Sequence, residues 1–116
     1  MVKLQSLDPN TPMFAQLKEK TGRIVMANTF VVPKERAEEF RSLFRRQAEF
    51  MMAQPGFVTL QLHKGTADSR LVMNVAVWES TEALAAALGS PEFHRMVAEF
   101  PDDIESYPHI FEQIDV

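Results

Sequence analysis

Cysteine is absent from this sequence of 116 residues. That absence excludes a disulfide framework, a thiolate nucleophile and a cysteine-ligated metal or iron–sulfur site. The net charge is −4 and no basic stripe occurs, so the electrostatic pattern of a nucleic-acid-binding protein is missing as well. No apolar run is long enough to span a bilayer, and the first residues lack the apolar core of a signal peptide. These features predict a cytoplasmic protein without a membrane partner.

The motifs of common nucleotide-binding, hydrolase and metalloprotease classes are also missing. The sequence contains no G-x-G-x-x-G, no P-loop, no G-x-S-x-G and no H-E-x-x-H. Its three histidines, His63, His94 and His109, fall on different predicted elements, and their spacing does not indicate a metal site. The composition is that of a globular protein, 46% apolar and 24% charged, and the length suits one domain.

Strands and helices alternate in the hydrophobic pattern from residue 24 onward. Alternation and β-branched residues predict strands at 24–32, 57–63, 71–78 and 109–116. Apolar residues at helical spacing and two serine N-caps predict helices at 34–53, 80–88 and about 90–100. The order β-α-β-β-α-β predicts an α+β, ferredoxin-like fold with an antiparallel sheet.

The chain is predicted to have two parts, an N-terminal arm and a domain. Residues 1–23 are polar and contain two prolines, and we expect this arm to lie across the body of the domain or across a partner. Residues 24–116 form the domain, in which strands 24–32 and 71–78 are apolar on both faces. Helices cover one face of such a sheet, and a second copy of the chain is the economical cover for the other. This predicts a homodimer, the alternative being a monomer with an exposed apolar sheet face.

Two asparagines stand out because each lies in the middle of an apolar strand, where asparagine is disfavoured. A buried amide without partners costs about 1–3 kcal/mol, so Asn28 and Asn74 need a reason to be there. Asn74 and Trp78 are four residues apart and therefore share a face, with the small Ala76 between them. The amides either open onto a pocket for a flat aromatic ligand, or bond to backbone groups at a bulge while Trp78 fills the core.

The chain resembles the antibiotic biosynthesis monooxygenase family of dimeric α/β barrels. The resemblance covers about residues 24–116 and rests on the pattern IVMANTFVV…AEEF…FMMAQPGFVTLQLHKG…VMNVAVWES…SPEFHRM. Within it, QPGF at 54–57 and VWES at 77–80 recur across the family. The sequence is most similar to the cofactor-independent monooxygenases of aromatic polyketide quinone pathways, which carry an Asn on the first strand and Asn-x-x-x-Trp on the third. The matching residues are Asn28, Asn74 and Trp78.

This resemblance implies a monooxygenase without flavin or metal that oxidises an anthrone- or hydroquinone-like substrate to a quinone with O2. Asn28, Asn74 and Trp78 are the expected catalytic residues. The expected pocket wall consists of Met26, Phe30, Phe44, Val72, Ala76, Ala87, His94 and Val97.

Two alternative functions stay open. A haem-degrading branch of the family carries a Trp and a haem-ligating His at positions that match Ala87 and Val97. Neither residue type is present there, although His94, one helical turn before Val97, is an alternative axial ligand. The second alternative is a non-catalytic dimer that binds a small ligand, for example in a stress response.

Overall fold

Five strands and four helices make up the fold, in a computed structural model that describes residues 2–116. The strands are β1 (Lys3–Leu4), β2 (Ile24–Val31), β3 (Phe57–Lys64), β4 (Leu71–Trp78) and β5 (Glu105–Phe111). The helices are α1 (Met13–Gln16), α2 (Ala37–Met52), α3 (Thr81–Leu88) and α4 (Pro91–Ala98), with a 3₁₀ turn at Lys34–Arg36 before α2. Among these residues, no helix combines the length and the apolar character needed to cross a membrane.

The strands form one sheet in the order β1-β5-β2-β4-β3. The four strands β2 to β5 pair antiparallel, as the ferredoxin-like fold requires, and confirm the predicted α+β class. The arm adds a fifth strand that the sequence did not predict, because β1 pairs parallel with β5 at one edge. The sheet is therefore mixed.

The last strand begins earlier than the sequence pattern predicted. It spans Glu105–Phe111 instead of 109–116, so the segment with Pro108 belongs to the strand. Ser106 accepts a backbone hydrogen bond from Gln5, and Ile110 bonds to the side chain of Gln16, both on the side away from β2. Pro108 has the same parity, so its missing N–H faces that outer side and removes no bond to β2.

Serine side chains begin two helices, as predicted. Ser80 Oγ accepts from the Ala83 N–H and Ser90 Oγ from the Phe93 N–H, both at 3.1 Å. Pro91 follows the second cap at the first helical position, where its missing N–H is harmless. These caps satisfy donors that the first turn of a helix leaves unpaired.

Two apolar clusters fill the space between the sheet and the helices. The cluster under α3 includes Ile24, Trp78 and Leu84, whose side chains are almost completely buried. The cluster under α2 is aromatic, with Phe30 packing edge-on against Phe40 at 5.0 Å between ring centroids. Even-numbered residues of β2 and β4 point into these clusters, because successive side chains of a strand alternate between faces.

The opposite sheet face has no helix on it among the described residues. It carries the odd-numbered side chains of β2 and β4, which are mostly apolar and half-buried. Leu71 and Met73 on β4 are 45% and 38% exposed, and Phe111 on β5 is 44% exposed. We call this surface the open sheet face.

The arm lies against the body of its own chain. Besides the β1–β5 pairing, α1 packs near β5, and Met13 and Leu17 contact the cluster that contains Trp78. Met1, the first residue of the predicted arm, lies outside the described residues. The arm therefore contributes to the interior of the fold as well as to its surface.

Candidate functional site

A cavity of about 460 Å³ lies between the helix-covered face of the sheet, helices α2 and α4, and the arm. Its volume falls within the roughly 300–1,000 Å³ that is common for small-molecule sites. Most of its wall is apolar. The side chains with polar groups in the described wall are Asn28, Gln47, Asn74, Trp78, His94 and Ser106. A cavity of this composition suits a ligand that is largely hydrocarbon and has a few polar atoms.

The two asparagines face each other on the floor of the cavity. Asn28 of β2 and Asn74 of β4 are directly paired in the antiparallel ladder, so their side chains project side by side. Two residues along each strand, on the same face, Met26 pairs with Ala76, whose small side chain leaves room above the sheet. Because both strands are buried on this face, the two amides are held on rigid backbone.

Ser106 of β5 orients the amide of Asn28. The Ser106 hydroxyl donates to Asn28 Oδ1 at 2.8 Å, and Ser106 is only 3% exposed. Since a hydroxyl proton on the Asn28 oxygen occupies the acceptor side of the amide, the NH₂ group is left as the side available to a ligand. This bond therefore presents Asn28 to the cavity as a hydrogen-bond donor.

Asn74 has an unpaired buried atom. Its side chain is 6% exposed, and no donor among residues 2–116 reaches its Oδ1. A buried amide oxygen in this situation costs about 1–3 kcal/mol unless a ligand or water supplies a partner. An unsatisfied amide on a cavity floor is typical of a binding group, and it argues against the interpretation that both amides only bond to backbone.

Trp78 belongs to the core and to the cavity at once. It is 1% exposed, packs edge-to-face on Phe57 at 5.5 Å, and also lines the cavity. The two interpretations that the sequence left open are therefore compatible for this residue. Its ring is fixed by packing and borders the cavity.

All but two of the residues that the sequence analysis singled out line the cavity. Those that do so are Met26, Asn28, Phe30, Phe44, Asn74, Ala76, Trp78, His94 and Val97. Val72 and Ala87 are not among the residues that line it. Ala87 is 2% exposed and packs into the cluster under α3, while Val72 packs against the aromatic cluster under α2. Val72 is half-buried and Ala87 is buried.

Ser106, Gln47 and the wall residues of the arm were not predicted from the sequence. Ser106 lies before the predicted last strand, 109–116, although strand alternation extended back from Ile110 places Ser106 and Pro108 on the inner face. Gln47 lies on α2 three residues after Phe44 and so shares its inward side. The arm carried no recognisable pattern beyond the apolar Met13, Phe14 and Leu17.

His94 is the one ionisable side chain in the described wall. It lies on α4 and is exposed to solvent at the cavity rim. Among residues 2–116, no group of three His, Asp or Glu side chains is arranged to hold a metal ion. The two groups with shifted pKa values lie elsewhere: Asp103 raises the pKa of the Arg36 guanidinium through a hydrogen bond, and Glu105 does the same for the Tyr107 phenol.

Comparisons with known proteins agree on the family. Residues 23–99 match the model of a family described as antibiotic biosynthesis monooxygenase. Deoxynogalonate monooxygenase of Streptomyces nogalater is 37% identical over 70 residues, which are 60% of this chain and 58% of that protein. The chain spans less than two thirds of the length of the curated relatives it matches.

Two solved structures extend the comparison to three dimensions. SnoaB, a cofactor-independent oxygenase from Streptomyces nogalater, is 28% identical, with a TM-score of 0.74 over 83% of this chain and 97% of its own. A haem-degrading protein from Mycobacterium tuberculosis is 25% identical, with a lower TM-score of 0.58 over 81% of this chain and 98% of its own. The chain shares the fold of both proteins and superimposes better on the first.

Proposed function

Because the chain belongs to the antibiotic biosynthesis monooxygenase family, we propose that it is a cofactor-independent monooxygenase that oxidises a flat, anthrone- or hydroquinone-like aromatic substrate to a quinone. The observation that carries this proposal is the pair of facing amides, Asn28 and Asn74, on the floor of an apolar cavity beside Trp78. The similarity to SnoaB, described as cofactor-independent, supports the absence of a flavin or metal from the reaction.

In the proposed reaction the substrate supplies the electrons. An anthrone loses a proton from its ring carbon to water or to a substrate oxygen, and the resulting enolate passes one electron to O2. The carbon radical and superoxide combine, and protonation gives a hydroperoxide at that carbon. Loss of water then leaves the quinone, so one oxygen atom of O2 enters the product and the other leaves as water.

The protein's role in this scheme is to stabilise the negative charge that develops on the enolate oxygen. Amide N–H groups suit this role, since they donate hydrogen bonds without losing a proton, and fixed donors in a low-dielectric cavity stabilise charge more than water does. The Ser106–Asn28 bond holds one amide in the donating orientation. The oxygen of Asn74 has no partner among the described residues. In the proposed complex, Asn74 either donates from its NH₂ group to the enolate oxygen or accepts a hydrogen bond from a substrate hydroxyl.

Trp78 and the aliphatic wall are proposed to bind the ring system itself. A flat substrate buries its hydrocarbon surface against Met26, Ala76 and the indole of Trp78. Exclusion of water around the enolate strengthens its hydrogen bonds to the amides.

Oxygen consumption by the purified protein with dithranol, a dihydroxyanthrone, tests this function. We expect uptake well above the rate of autoxidation, with about 10²-fold loss in Asn74→Ala, which is the scale seen when one oxyanion donor is removed. Asn10→Ala, on an exposed part of the arm, is the matched control and should retain full activity. If the ligand raised the melting temperature without oxygen uptake, the protein would be a binding protein and not an enzyme.

Haem fits the site less well than an aromatic hydroquinone. Val97, at the position where the resemblance expects the ligating histidine, is an apolar part of the cavity wall, and His94 is exposed on the same helix one turn earlier. Titration of the wild type with haem should therefore produce no saturable shift of the Soret band that depends on His94, as tested by comparison with His94→Ala. Such a shift would favour the haem-degrading alternative.

We also infer that a second copy of the chain covers the open sheet face. A monomer rarely exposes a contiguous apolar surface of this kind, and self-association of one face with itself gives a symmetric dimer. Met73→Lys should lower the dimer fraction in sedimentation experiments, because it places a charge in the middle of this face. Met52→Lys on α2, where Met52 is 52% exposed away from the sheet, is the matched control. Equal masses for wild type and Met73→Lys would contradict the inferred interface.

A further inference from the structure

The N-terminal arm closes one side of the cavity. The family match begins at residue 23, the last residue of the arm, so this wall is an addition to the matched family region. The arm contributes five side chains to the cavity: Val2, Leu4, Met13, Phe14 and Leu17. All five are apolar, whereas the polar groups of the cavity floor come from the sheet.

Specific hydrogen bonds attach the arm along the edge of β5. The Lys3 N–H donates to the Ile104 carbonyl and the Gln5 N–H to the Ser106 carbonyl, both at 2.8 Å. Beyond the end of β1, the side chain of Gln16 continues the pairing. It donates to the Ile110 carbonyl at 2.8 Å and accepts from the Ile110 N–H at 2.9 Å.

Gln16 thereby satisfies both backbone groups of Ile110, as a neighbouring strand would. This matters because an exposed strand edge leaves such groups without a protein partner. The clamp fixes the position of α1, whose next residue Leu17 packs beside the Trp78 cluster. Phe14 is 62% exposed while also lining the cavity, so it lies at the mouth.

We propose that Met13, Phe14 and Leu17 are specificity-determining residues that limit the size of the fused ring system the cavity accepts. A ligand whose oxygen atoms bond to Asn28 and Asn74 meets only hydrocarbon on the arm. Apolar contact raises the binding affinity as the ring system grows until it reaches the wall. A larger ring system binds more weakly, because an overpacked site forces side chains out of their preferred conformations. The identity of the ligand class rests on the proposed function.

Binding of two stable quinones tests this inference without requiring catalysis. The probes are 1,8-dihydroxyanthraquinone, with three fused rings, and 5-hydroxy-1,4-naphthoquinone, with two. Trp78 is the single tryptophan of the sequence and lines the cavity, so quenching of its fluorescence reports occupancy. Leu17→Phe extends the wall into the cavity. We expect it to weaken binding of the three-ring quinone about tenfold, within the range that overpacking produces, and binding of the two-ring quinone less than about twofold.

The matched control is Leu7→Phe. Leu7 belongs to the same arm, is 56% exposed and is not part of the wall, so both affinities should stay as in the wild type. Equal weakening of both quinones by Leu17→Phe, or no change in either, would overturn the inference. So would the absence of saturable quenching in the wild type.

Two further arrangements keep the test decisive. If Leu17→Phe loses its cooperative melting transition, Phe14→Ala replaces it, since truncation of an exposed side chain spares the fold. This variant should weaken the three-ring quinone about threefold and leave the two-ring quinone unchanged. A size-dependent change in binding together with no oxidation of dithranol would refute the proposed reaction and leave the role of the arm standing. Oxidation of dithranol together with an unchanged preference for ring size would support the proposed reaction and refute the role of the arm.

Discussion

Replacement of Ser106 by alanine tests whether the amide of Asn28 is oriented by the hydroxyl. The substitution removes one O–H donor and leaves the backbone of β5 unchanged. The lost bond joins Ser106 Oγ to Asn28 Oδ1 at 2.8 Å, between a side chain that is 3% exposed and one that is half-buried. Nothing else among residues 2–116 donates to this oxygen.

The expected change in stability follows from the surroundings of this bond. A buried acceptor that loses its partner costs about 1–3 kcal/mol, and a typical net hydrogen bond contributes about 1 kcal/mol. Asn28 borders the cavity, where water can reach its oxygen, so we expect the lower value. A loss of about 1 kcal/mol in the free energy of unfolding corresponds to a fall of about 4 °C in melting temperature for a domain of this size.

A double-mutant cycle with Ser106→Ala and Asn28→Ala measures the interaction directly. Urea unfolding of the two single variants and the double variant, at one fixed protein concentration, should give a coupling free energy of about 1 kcal/mol. Turnover of dithranol should fall in Ser106→Ala while its KM changes little, since the amide keeps its donors and loses only its orientation. Ser6→Ala, on the exposed arm, is the control. Additive effects of the two substitutions on stability would refute the reasoning.

Two other predictions concern a turn and the one tyrosine of the sequence. Gly56 has a φ of +84°, and a Cβ there would lie 2.4 Å from the Ala83 side chain. In urea unfolding, Gly56→Ala should therefore destabilise the protein by at least about 1–3 kcal/mol. Gly22→Ala is the control and should not destabilise it, because the space around Gly22 is open. Tyr107 donates to Glu105 Oε1 at 3.0 Å, which raises the pKa of the phenol above its usual 10. The folded state therefore holds this proton more tightly, and the associated stabilisation is complete below about pH 10 and lost as the pH rises through the folded pKa. Absorbance at 295 nm should titrate above pH 10 in the wild type and at lower pH in Glu105→Gln, and an unchanged midpoint would contradict the role of this bond.

Local periodicity was enough to predict most of the elements and the direction of their side chains. The predicted bounds of β4 match the structure, and Ser80 and Ser90 are the helix caps that the sequence indicated. The last strand was predicted at 109–116 but spans Glu105–Phe111, and Pro108 is tolerated inside it because its missing N–H faces the outer edge of β5. A sequence shows the proline but not which edge of the strand it faces.

Placement within the wall was harder to predict than direction along an element. Val72 lies on the same face of β4 as Asn74, yet it packs against the aromatic cluster and is not among the residues that line the cavity. Ala87 is a residue of α3 and packs into the other cluster. A shared strand face does not tell which neighbour lies above a side chain, so the strand pattern alone could not decide whether Val72 reaches the cavity.

The sequence alone determined that Asn28 and Asn74 lie in buried strands and that Asn74 and Trp78 share a face, because these properties depend on residues two and four positions apart. Only the tertiary structure decided that the two amides face each other, that Ser106 holds Asn28 across 78 positions of the chain, and that Gln16 clamps the arm to Ile110 across 94. Strand register and long-range contacts arise when distant segments pack together. The local pattern of a sequence specifies each segment's buried side without specifying its partner.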